Sequence, residues 1–142
     1  MISSTKKADA ISRNRTWYFG ALALVLATHQ GLFWQWDNRN YDWESTLSWA
    51  LLASTILYAI ATGGQPFMSK TLRELTDDEV TRANRMKALS MSFVTTMAAA
   101  IFIFAASPNL TMTLQRAIHA VVSIGLITAL IVFIIEERKA LG

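Results

Sequence analysis

The stretch ALSMSFVTTMAAAIFIFAASPNLTMTLQRAIHAVVSIGLITALIVFII, residues 88–135, carries a single charged side chain, Arg116. Ser107-Pro108-Asn109 divides it, because proline has no amide hydrogen with which to continue a helix. The result is two apolar runs joined by a turn, each close to the roughly 20 residues an α-helix needs to cross about 30 Å of hydrocarbon. Outward from there the pattern repeats. Trp17–Trp36 and Ser45–Ser69 are also free of charge, and charged residues fence each of them. The chain therefore reads as an all-α integral membrane protein with four transmembrane helices. The spans fall at about 17–36, 46–62, 88–106 and 114–135, after a polar N-terminal arm over residues 1–16. Short turns within each pair predict two antiparallel hairpins.

Composition supports that class. Apolar residues make up 53% of the 142 and charged residues 16%, with the charges gathered between apolar runs instead of alternating with them. Of the 13 Lys and Arg residues, only Arg39 and Arg116 fall in the loop after span 1 or the turn after span 3. The rest lie before span 1, between spans 2 and 3, or after span 4. The positive-inside rule then puts both termini in the cytoplasm, in a plasma membrane of the bacterial inner-membrane kind. The net charge of +3 reflects this placement, and a nucleic-acid partner is not expected. With no cysteine, neither a disulfide nor a thiolate site is available. A basic start and Val25-Leu26-Ala27 also sketch a secretory signal, whose removal would leave three spans. The apolar run continues through Gly31-Leu32-Phe33-Trp34, which favours a retained helix.

Local signals fill in the connections. Trp17, Tyr18 and Phe19 at one border, and Trp34, Trp36, Tyr41, Trp43 and Trp49 at the other, are expected as aromatic belts at headgroup depth. Gly63-Gly64-Gln65-Pro66 should end helix 2. Thr76-Asp77-Asp78-Glu79 reads as a capping box opening a helix that runs through Arg82, Arg85 and Lys87 into span 3. Those three basic residues are expected to contact anionic lipid headgroups or a cytoplasmic partner, and Glu136-Glu137-Arg138-Lys139 to form a solvated stop. Arg13-Asn14-Arg15 and Arg82-Ala83-Asn84-Arg85, about half a chain apart, hint at a duplicated hairpin.

The segment Asp77-Asp78-Glu79-Val80-Thr81-Arg82-Ala83-Asn84-Arg85 resembles the acidic cap and basic helical lead-in of a loose class of small bacterial membrane proteins with about four spans. The resemblance covers about a fifth of the chain. It implies a bacterial inner-membrane setting and no activity.

Two histidines are the candidate cofactor residues. His29 and His119 belong at similar depth in the outer leaflet, where facing imidazoles could ligate a haem iron or another metal, or hydrogen-bond a quinone, in a redox subunit. Helical geometry argues against it. Gly20, Ala23, Ala27 and Gly31 line one face of helix 1, where a neighbour is expected to approach closely, and His29 falls nearly opposite Ala27. Gly125 and Ala129 form a small-residue pair in helix 4, and Ser92, Thr96, Ala99 and Ala100 offer a packing face on helix 3. Ser48, Thr55, Tyr58 and Thr62 give helix 2 a hydroxyl face expected to pack between helices. No span has an acidic or basic residue near its middle, as coupled transport would require, and no catalytic or metal-ligating set is visible. The expectation is a non-enzymatic accessory or structural protein, working through the lipid bilayer and either copies of itself or a partner membrane protein. A redox subunit and a small transporter are the alternatives.

Overall fold

The computed structural model describes residues 4–35, 43–63, 79–109 and 111–140. Among them the fold is all-helical: α1 (Ser4–Gln35), α2 (Trp43–Ala61), α3 (Glu79–Ala106), a 3-10 turn (Ser107–Asn109) and α4 (Leu114–Ala140). Three of the four, α2, α3 with its 3-10 turn, and α4, are long and apolar enough to cross a membrane. In α1 the polar run Thr28-His29-Gln30 and the amphipathic rings of Trp17 and Tyr18 dilute the apolar stretch.

The helix ends have local causes. Past α2, Thr62 and Gly63 turn back on Tyr58 and Ile60 through amide–carbonyl bonds of 2.9 and 3.2 Å. Gly63 there adopts φ 70°, a conformation open to glycine and costly for other residues. Glu79 opens α3, while Thr76, Asp77 and Asp78 of the expected capping box lie outside the described residues. From Glu79 the basic lead-in continues into the apolar run without a break, and Ser107-Pro108-Asn109 forms the expected turn.

Helix α4 is the centre, and the other three pack chiefly on it; α1 and α2 scarcely touch each other. Arg15 meets Glu137 and His29 meets His119, so α1 and α4 run in opposite directions. Asn84 meets Glu137 and Ser92 meets Gly125, so α3 also opposes α4. Between α1 and α4, Phe19 and Phe133 meet edge to face at 4.8 Å, beside buried Leu26 and Leu130. Ile56 and Ile60 extend this core from α2. The packing faces expected on α3 and α4 prove to meet each other, with the Ser92 hydroxyl donating to the Gly125 carbonyl at 2.7 Å. A Cβ on Gly125 would overlap Thr96 Oγ1, so any larger residue there must displace the Thr96 side chain.

Several expectations need correcting. Residues 4–16 are not a separate arm but the first turns of α1, with Arg15 and Thr16 buried, because their side chains continue the packing stripe below Phe19. Of the small-residue face of α1 only Ala23 packs against the core: nothing lies within 4 Å of a Cβ built on Gly20 or Gly31, and Ala27 is exposed. The larger residues Phe19, Leu22 and Leu26 carry most of that contact. The hydroxyls of Ser48 and Thr55 bond to carbonyls of their own helix, at 2.9 and 2.8 Å, on an exposed face. Glu136-Glu137-Arg138-Lys139 is no solvated stop, since α4 runs to Ala140 and Glu137 is buried. The halves also pack unlike each other, tightly in α3–α4 and barely in α1–α2.

Candidate functional site

Two polar clusters sit at opposite ends of the bundle. The first grows from α4's buried stripe, which recurs at helical spacing through Ser123, Leu126, Leu130 and Phe133 and ends on Glu137. The matching stripe of α1, read backwards through Leu26 and Phe19, ends on Arg15. The two ionised side chains thus meet inside the packing, with only 5% and 3% of their surfaces exposed. Nη2 of Arg15 donates to Glu137 Oε2 and, at 3.0 Å, to Thr81 Oγ1. The other carboxylate oxygen accepts from Asn84 Nδ2 at 3.2 Å. The guanidinium carbon lies 5.6 Å from the centre of the Phe133 ring, within cation–π range. A buried charge is tolerated only when paired and hydrogen-bonded, and here α1, α3 and α4 all supply partners.

Around this pair lies a more exposed ring of charge. Glu136 accepts from Lys87 and Lys139 at 2.9 Å each. Lys139, then Lys87, hold its carboxyl below the usual range by hydrogen bonding to the ionised form. Arg85 reaches across to the Ala61 carbonyl at 3.3 Å, a cation at the negative end of α2. Of the three expected lipid or partner contacts, Arg82 and Lys87 are exposed, while Arg85 is half-buried and spent on α2. Sequence reasoning missed Arg15, Thr81, Asn84 and Glu137. The signal was present in the buried stripe's spacing, which reaches Glu137 if it is followed past the last apolar residue.

The second cluster gathers the two histidines. The imidazoles of His29 and His119 stack, with centroids 5.8 Å apart and planes 23° from parallel. Trp49 of α2 lies 4.8 Å from His119, and its indole N–H donates to Ser123 Oγ at 3.4 Å. His119 is buried; His29, Gln30 and Trp49 are half-buried. Trp49, expected in the aromatic belt, turns inward, whereas Trp17 and Trp43 are exposed. Nδ1 of His29 and Oε1 of Gln30 are shielded from water and have no hydrogen-bond partner among the described residues. His29 reaches the contact because α1 packs through its large residues, not through the glycine face opposite.

Bis-imidazole haem ligation aims one nitrogen lone pair from each ring along a common axis, from opposite faces of the porphyrin. Stacked rings hold their lone pairs in two nearly parallel planes, and 5.8 Å between centroids leaves no slot for a macrocycle. This arrangement does not fit that ligation. Among the described residues no group of three or more His, Cys, Asp or Glu could hold a metal ion. Comparison with known proteins finds no matching family, no matching curated relative and no matching solved structure.

Proposed function

We propose that the chain is a multi-pass membrane protein whose four helices cross the bilayer as two antiparallel hairpins with both termini in the cytoplasm, and that it serves as a non-enzymatic accessory or structural subunit. The observation that carries this reading is α3: only 6% of its most apolar window is buried within the bundle. Its exposed residues include Phe93, Val94, Ile101, Phe102 and Phe104. A continuous apolar face on that scale calls for lipid or another helix, not water.

The placement of charge supports the orientation. Arg13, Arg82, Lys87, Arg138 and Lys139 ring the end that holds the buried pair, and Arg116 lies at the other. Arg82 and Lys87 face outward there, where anionic headgroups attract each basic side chain by about 1 kcal/mol. Along α4, Glu137 and His119 are separated by about 27 Å of helix at 1.5 Å per residue, so the two polar clusters bracket a hydrocarbon layer. A bacterial inner membrane is the setting this orientation implies.

The test combines reporter fusions at each terminus with photo-crosslinking from Phe93 and Phe102 in native membranes. Both termini inside and a reproducible adduct, with a second copy or another membrane protein, are expected. Termini on opposite faces, or turnover of a substrate by the purified chain alone, defeat the reading.

A further inference from the structure

We propose that α1 settles in the bilayer only against α4, with the α3–α4 hairpin as its template and Arg15–Glu137 as the latch that completes insertion. The first ground is a gradient of hydropathy among the helices. Helix α4 is the most apolar, α3 follows and α2 is third, while α1 falls short of what crossing on its own requires. The second ground is where α1 keeps its polar groups. Arg15 is buried and His29 half-buried, and both meet α4. Trp17, Leu24, Val25 and Leu32 are exposed. Docked, α1 therefore turns a largely apolar surface to lipid. Alone, it would also turn out an ionised guanidinium and an imidazole, groups that spans carry almost only when they are paired.

The third ground is the state of the partner. Among the described helices α3 and α4 make the most extensive contact, and it does not involve α1. The Ser92–Gly125 bond and the Lys87–Glu136 ion pair both lie within it. Asn84 of α3 also holds Glu137 at 3.2 Å, so the carboxylate is oriented before Arg15 reaches it. Helix α1, by contrast, has α4 as its chief neighbour and scarcely touches α2. Because α4 follows α1 in the chain, with α2 and α3 between them, the latch closes only once α4 is in place. With 5% and 3% of the two side chains exposed, solvent screens the pair little. The sign of its charges therefore decides whether α1 is drawn in or held off.

This inference rests on the four-span embedding proposed above, not on the accessory role, and thiol labelling reads the embedding and the latch separately. The chain has no cysteine, so Trp43→Cys at the exposed start of α2 and Ser107→Cys at the exposed turn after α3 each supply one reactive thiol. Right-side-out membrane vesicles holding the full chain are treated with a membrane-impermeant maleimide, before and after permeabilisation. In the otherwise unaltered chain both thiols should label from outside. If either does not, the embedding itself fails and takes the inference with it. Glu137→Lys, which sets two cations face to face, should cut outside labelling of Trp43→Cys by about fivefold or more and leave Ser107→Cys within about twofold. Arg15→Glu combined with Glu137→Lys restores opposite charges and should recover about half or more of the lost labelling. A smaller fall at Trp43→Cys, a matching fall at Ser107→Cys, or no recovery on the charge swap each overturns the inference and leaves the embedding standing.

Discussion

Neutralising Glu137 should be the most damaging conservative change in the chain. Glu137→Gln keeps the size and one hydrogen-bonding oxygen, but strands the Arg15 guanidinium in a site where only 5% of its surface is exposed. Removing one partner of a buried pair typically costs about 3–5 kcal/mol, mostly through the uncompensated charge left behind. At such low exposure solvent screening offers little relief. The Phe133 face and Thr81 Oγ1 remain as partners for Arg15, which places the expectation near the lower end, about 3 kcal/mol. Arg15→Met with Glu137→Leu removes both charges and fills similar volume. It should recover part of that loss, about 1 kcal/mol, because Asn84 and Thr81 lose partners worth about 1 kcal/mol each. The assay is reversible unfolding in mixed detergent and dodecyl sulfate micelles, run as a double-mutant cycle. A Glu137→Gln cost below about 1 kcal/mol, or a double variant as weak as the sum of its singles, refutes the argument that this pair is buried and coupled.

The other expectations concern neighbouring contacts. Gly125→Ala should destabilise the α3–α4 seam by about 1–3 kcal/mol, because its Cβ overlaps Thr96 Oγ1. Adding Thr96→Ala should restore part of that loss, whereas Gly31→Ala, where space is open, should stay within about 0.5 kcal/mol on the same unfolding assay. Glu136 has a lowered folded-state pKa, so its contribution is present above the ordinary carboxylate range and is lost as pH falls through the lowered value. Glu136→Gln should therefore flatten the acid limb of a stability–pH profile and leave the neutral-to-alkaline limb in shape. Arg85→Met should loosen the end of α2 by about 0.3–1 kcal/mol, read as faster amide exchange at residues 58–61.

How the chain divides between legible and illegible features follows from the kind of physics at each place. The all-α class, the turn at Ser107-Pro108-Asn109, the stop at Gly63 and the unbroken lead-in from Glu79 are local matters of hydropathy, proline chemistry and glycine's backbone freedom. They could be read from short windows. Gly125 with Ala129, and Ser92 with Thr96, were each legible as packing faces, but that the one meets the other was decided by the fold.

Which face of each helix turns inward was another matter. Inside a membrane, apolar side chains are equally content against lipid or protein, so hydropathy does not mark the contact face. Small residues on α1 pointed one way, and the bulk of Phe19, Leu22 and Leu26 carried the packing the other way. That choice brought His29 to His119 and Arg15 to Glu137, pairs 90 and 122 positions apart in the chain. The amino-acid order alone determined how many apolar helices there are and where the chain turns, because those depend on near neighbours. Tertiary packing alone decided which polar residues meet, because that depends on the rotation of each helix against α4.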